Sequence, residues 1–129
     1  MKLETITLYH LQMPLVAPFA TSFGSIDNRE CILLEAKADG LVGWGECVAD
    51  RDPGYAYETV GTAWHILNDF LIPPLLGQEI LDVPELQRQM AHVKGHQMAK
   101  AGIEMAFWDL IGKDQGCSVR ELLAGRAPG

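Results

Sequence analysis

Three carboxylates, Glu46, Asp50 and Asp52, fall close together where an apolar stretch gives way to a polar one. Clustered carboxylates offer the hard oxygen ligands that a divalent cation takes. Arg51 lies among them, so the simpler reading is a solvated acidic loop. His92 and His96 stand four apart. On a zinc helix that spacing puts two imidazoles on one face, with a glutamate after the first as base. Here Val93 follows His92, Gly95 weakens the helix, and no third ligand is suggested, so capping or surface roles fit better. His10 and His65 have no acid or nucleophile that the sequence places beside them, and read as packed or solvated side chains. Gly43-Trp-Gly45 begins like a dinucleotide fingerprint, but Val48 stands where the third glycine belongs. A phosphate cradle also needs a strand-to-helix turn, whereas this segment reads as strand, where glycines permit close backbone packing. No serine lies in G-x-S-x-G, and none of the three cysteines has a motif partner. Cys31 and Cys47 read as small core residues. Two loops remain. Residues 18–24 (Pro-Phe-Ala-Thr-Ser-Phe-Gly) and 49–57 (Ala-Asp-Arg-Asp-Pro-Gly-Tyr-Ala-Tyr) set aromatics beside hydroxyls or charges. Such loops resemble the walls of a ligand pocket. Phe19 and Phe23 equally suit a satellite cluster tucked under the loop, and the pattern leaves both readings open.

The elements that would position these residues divide the chain in two. The first half predicts strands over 2–13, 30–38 and 41–48, rich in β-branched and aromatic residues. Pro14 closes the first, and a loop over roughly 14–29 is expected to follow. Asp39-Gly40 between two apolar runs predicts a type I′ hairpin turn, which needs φ > 0 at both central positions. The second half predicts helices. Val60, Trp64, Leu67 and Leu71 recur at the spacing of one helix face over 56–72, with Pro73-Pro74 as the stop. Asp82-Val-Pro-Glu85 reads as an N-cap with proline in the first turn, opening a short helix to about His92. Residues 97–113 carry two apolar faces: Met98, Ala101, Met105 and Trp108 on one, and Ala99, Ile103, Ala106 and Leu110 on the other. Two apolar faces predict burial on more than one side. Ala101, Gly102 and Ala106 are small enough for close approach, and Asp109–Lys113 is a favourable i,i+4 pair. Ser118-Val-Arg-Glu121 fits a capping box, and Gly125 a helix stop. The fold class predicted is α+β, a three-stranded antiparallel meander followed by helices.

The chain has 129 residues, 48% of them hydrophobic and 21% charged, with 17 acidic against 10 basic side chains. That length fits one domain and excludes a complete (β/α)₈ barrel, which needs ~200 residues or more. The acidic excess argues against a nucleic-acid partner. No apolar run approaches the ~20 residues that span a bilayer, and the first residues carry no apolar signal core. Three cysteines without C-x-x-C suggest reduced thiols and a cytoplasmic setting.

Taken in order, four segments resemble a known family: Pro18–Gly24; Gly43-Trp-Gly-Glu-Cys-Val-Ala-Asp50; Thr62-Ala-Trp-His-Ile-Leu67 with Phe70-Leu-Ile-Pro73; and Lys94–Leu110. Each is weak alone, but their order and spacing are similar to the N-terminal part of enolase-superfamily enzymes, nearest the o-succinylbenzoate synthase / N-acylamino acid racemase group. The resemblance extends to about Ala124. It implies an α+β capping domain over 1–124, closing the mouth of a (β/α)₇β barrel, with 125–129 a truncated approach to that barrel. It implies that the barrel carries the chemistry. There, two lysines move a proton α to a carboxylate, and three acidic residues hold Mg²⁺ against the enediolate. None of those groups maps onto this chain, so no catalytic and no metal-ligating residue is assigned within it. The loops do map, and the resemblance makes Phe19, Thr21, Ser22, Phe23 and Tyr55 pocket-wall residues for a small carboxylate substrate. The expected function is a substrate-capping domain, not catalytic alone, with the barrel as its partner. A stand-alone ligand-binding module and a self-associating interaction domain are the alternatives. The tail Ala124-Gly-Arg-Ala-Pro-Gly129 departs from the family pattern, as a truncated or altered end would.

Overall fold

A computed structural model describes residues 1–21 and 24–125. Three antiparallel strands run in the order β1-β2-β3: β1 (Thr5–Thr21), β2 (Gly24–Ala38) and β3 (Leu41–Cys47). The β2–β3 turn is built as its sequence demands. Asp39 and Gly40 both take positive φ, 52° and 77°, which matches the right-handed twist of the flanking strands.

Among its described residues, the loop expected over 14–29 is instead paired strand. β1 and β2 stay paired as far as Thr21 opposite Gly24. Pro14 does not end β1, because β1 is the edge of the sheet, where a missing N–H costs no ladder bond. The disturbance appears as a bulge. Pro14 pairs with Asn28 and Phe19 with Ile26, so residues 15–18 lie opposite Asp27 alone, and Val16 stands fully exposed. β2 meets β3 only from Ile32, paired with Cys47, to Ala38. Residues 24–31 therefore carry the hairpin beyond the end of β3.

The helices cover one face of the sheet. α1 (Val60–Ile66) is capped by Thr59 and Thr62 in a reciprocal box. Pro73-Pro74 does not stop it. A π-helical turn (Leu67–Leu71) follows, in which the Ile72 N–H donates to the Leu67 carbonyl, and α2 (Ile72–Leu75) continues. The widened turn restarts the helix, so the prolines sit in a first turn, where their missing N–H groups are not needed. α3 (Val83–Met90) starts at Asp82, whose carboxylate accepts from the Glu85 N–H, and stops short of His92. α4 (Gln97–Gln115) is the longest helix among the described residues, and α5 (Val119–Leu123) opens with the expected Ser118–Glu121 box. Gly125 ends it at φ 71°.

α4 lies directly on β3. A Cβ at Gly45 would stand 2.0 Å from the Gly102 carbonyl oxygen, and one at Gly43 2.3 Å from that of Ala106. The Gly-x-Gly of β3 is therefore a packing device. The Ala99, Ile103, Ala106 and Leu110 face of α4 is buried against Ile32, Leu34 and Cys47. The other predicted face is only partly covered: Met98 and Trp108 are half-buried and Met105 is exposed. Asp109 and Lys113 do more than pair with each other at 3.0 Å. The Trp44 N–H donates to Asp109 and the Lys113 ammonium donates to the Val42 carbonyl. They satisfy backbone groups along the open edge of β3, which would otherwise invite a foreign strand. No helix among the described residues is long and apolar enough to cross a membrane.

Candidate functional site

The described parts of both aromatic segments sit at one end of the sheet. The β1–β2 hairpin overhangs β3, and the chain leaving Cys47 enters the irregular loop 48–58 beside the base of that overhang. Tyr55, in this loop, is 83% exposed, and Phe19, beyond the bulge, is 61% exposed. Neither is tucked beneath its loop, so the satellite-cluster reading of Phe19 does not hold. Thr21 takes its backbone place opposite Gly24. Ser22 and Phe23 lie outside the described residues.

The feet of the 48–58 loop are fixed by backbone. Asp50 bridges to Thr59, and its carbonyl accepts from the Val60 N–H at 2.8 Å. Further on, Tyr57 and Glu58 reach the start of α4. The first N–H groups of a helix have no partner within it. The Glu58 carboxylate accepts from the Met98 and Ala99 N–H groups at 2.9 and 3.2 Å, and the Tyr57 hydroxyl from the His96 N–H at 2.7 Å. Glu58 is buried, and the positive end of the α4 dipole favours its charge. A helix entered through Gly95 and His96, both at positive φ, makes room for this. A Cβ at Gly95 would stand 2.6 Å from the Tyr57 hydroxyl. Burial pushes the Cys47 thiol up, and the Glu58 charge adds to the effect. Cys31 is likewise raised, by burial first and then by Glu46 beside it. Both thiols are thus inert core groups, as the sequence suggests.

The carboxylate cluster does not assemble. Asp50 is taken by the Arg29 guanidinium, and no three His, Cys, Asp or Glu side chains gather as metal ligands would among the described residues. These residues therefore do not fit a Mg²⁺ site of their own. The readings of His65 and His10, though not the capping role expected of His92, need correction. His65 pairs with Asp69 at 3.0 Å, one helical turn on. His10 reaches Glu30 at 3.6 Å across the β1–β2 ladder. His92 takes a structural role, its Nδ1 2.9 Å from the Gln89 carbonyl and its Nε2 3.3 Å from that of Phe70. The Phe70 contact meets a carbonyl that Pro74 leaves without a helical donor. Arg29 and Glu58 carry no sequence signal, and Tyr57 is marked only as an aromatic of the 49–57 segment, since the partners that define their roles are distant in the chain.

Residues 3–124 match the family described as mandelate racemase / muconate lactonizing enzyme, N-terminal domain. The chain belongs to this family. As such an N-terminal domain it is 43% identical to an o-succinylbenzoate synthase of Bacillus subtilis over 96% of its own length and 34% of the relative's. It is 46% identical to an N-succinylamino acid racemase of an Amycolatopsis species, covering 84% of the chain and 30% of the relative. The crystal structure of an N-succinyl Arg/Lys racemase from Bacillus cereus superposes with a TM-score of 0.87 at 33% identity, over 95% of this chain and 33% of that one. The chain thus spans about a third of the length of the relatives it matches. The α+β architecture is that of the enolase-superfamily N-terminal domain.

Proposed function

We propose that residues 1–124 act as the substrate-capping domain of a longer enzyme of the o-succinylbenzoate synthase / N-acylamino acid racemase type. The observation that carries this reading is the single end of the sheet that bears both exposed aromatics, Phe19 and Tyr55, on a chain whose family match fills it while a third of each relative is covered. Phe19, Thr21, Ser22, Phe23 and Tyr55 would wall off the side chain of a small carboxylate substrate and exclude water from the reaction. Proton transfer, and the Mg²⁺ that would steady the developing enediolate, belong to a barrel partner in a cytoplasmic enzyme. No step is assigned to a metal held by this chain.

The test is a chimera in which this chain replaces the corresponding third of the B. subtilis synthase. Synthase turnover should return, and Phe19→Ala and Tyr55→Ala should each lower kcat/KM by about tenfold or more. A folded chimera whose activity ignores both substitutions overturns the reading, as does turnover by the 129-residue chain alone. A self-associating role is favoured by one further observation. Tyr9, Met13 and Trp44 stand exposed on the sheet face away from the helices, with the Tyr9 and Trp44 rings 6.1 Å apart.

A further inference from the structure

Arg29 lies in the overhanging part of β2, paired with Met13 just before the bulge that precedes Phe19. Its guanidinium has three acceptors. One nitrogen donates to the Glu30 carbonyl of its own strand and to the Asp50 carboxylate, and the other donates to the Val48 carbonyl. Val48 and Asp50 open the loop that carries Tyr55, and the Asp50 carbonyl in turn holds the Val60 N–H at the start of α1. The fork of Arg29 thus spans from the Phe19 hairpin to the first foot of the Tyr55 loop. Tyr57 and Glu58 fix the second foot to α4. A planar guanidinium can hold a carboxylate and carbonyls in fixed directions, which a lysine ammonium cannot. The pair is part-exposed, Arg29 at 30% and Asp50 at 46% of their side chains, so as a plain surface ion pair it would add little to stability. Its geometry, rather than its strength, sets it apart.

We propose that Arg29 is a positioning residue, locking the Phe19 hairpin to the Tyr55 loop through Asp50 and Val48 so that both walls of the candidate pocket keep one spacing. The substrate part rests on the capping reading; the latch does not. Amide exchange on the 129-residue chain tests the latch. In Arg29→Met and in the isosteric Asp50→Asn, the Val60 amide and the hairpin segment 13–20 should exchange about tenfold faster, while the Ile103 amide in α4 holds. Arg29→Lys should fall between. An unchanged Val60, a change confined to one of the two segments, or an equal rise at Ile103 overturns it. In the chimera described above, Arg29→Met should raise KM about tenfold and leave kcat within about twofold, since a displaced wall weakens substrate binding. A fall in kcat at constant KM would reduce Arg29 to a structural residue. An inactive parent chimera would sink the capping reading and the substrate part with it, and the exchange result would still decide the latch.

Discussion

Glu58 is where a single side chain carries most of its surroundings. It is the buried charged residue among the described ones, 4% exposed, and it satisfies two helix N–H groups across some forty positions of chain. Glu58→Ala would leave one buried and one part-buried donor without a partner, which costs about 1–3 kcal/mol. Glu58→Gln keeps one acceptor oxygen and should lose less. Urea midpoints of the two variants check this, and equal losses would count against the cap. Glu79 makes a different kind of prediction. Its carboxylate accepts from the N-terminal ammonium at 2.5 Å, and that bond, with the positive charge, holds its pKa below the ordinary 4.5. Glu85 is lowered in the same direction by Gln89 and Arg88. With a folded pKa below the unfolded one, the stabilisation is complete above about 4.5 and is lost as pH falls through the lowered value. Glu79→Gln with Glu85→Gln should therefore flatten the acid limb of stability below about pH 5. A pH titration of the urea midpoint that keeps the same slope would refute it.

At the scale of elements, the contact of α4 with β3 decides the fold. Gly45→Ala would press a methyl group between backbone atoms, 2.0 Å from the Gly102 oxygen and 2.9 Å from the Ala106 nitrogen. Backbone cannot rotate aside, so α4 must lift from the sheet. The loss should reach about 3 kcal/mol, the upper end for overpacking, or roughly 10 °C in Tm. Gly40→Ala meets nothing within 4 Å and is strained only by its φ of 77°, for about 1 kcal/mol. Thermal unfolding of the pair separates steric from conformational cost; similar shifts would deny the close approach. These glycines were legible in the sequence, because strand and helix each showed a run of small residues. So were Asp39-Gly40 and the caps at Asp82 and Ser118, whose partners lie within three residues. Pro14 and Pro73-Pro74 misled for a common reason. A proline's effect depends on whether its N–H position faces a partner, and that is set by sheet edge and helix register, not by local spacing. Arg29–Asp50 and Glu58–α4 were illegible on the same ground: long-range pairs leave no period.

For the whole molecule, part of the uncovered apolar surface lies on the sheet. β1, β2 and β3 are covered by helices on one face only, while the other face interleaves Tyr9, Met13 and Trp44 with Glu35, Lys37 and Glu46. An antiparallel sheet can show one face to water when that face is polar. Here Tyr9, Met13 and Trp44 are each at least 40% exposed, and exposed apolar patches of this kind mark contact surfaces. The net charge of −7 opposes close association at low salt, and screening at ~0.15 M removes much of that repulsion beyond ~8 Å. The 129-residue chain should therefore associate with rising concentration, and more strongly as salt is added. Trp44→Glu, which sets a charge within the patch without touching the α4 face, should return it to monomer. Light scattering across a concentration series measures both effects. A monodisperse monomer at high salt and high concentration would mean that this face is content in water, and that the capping role alone accounts for its aromatics.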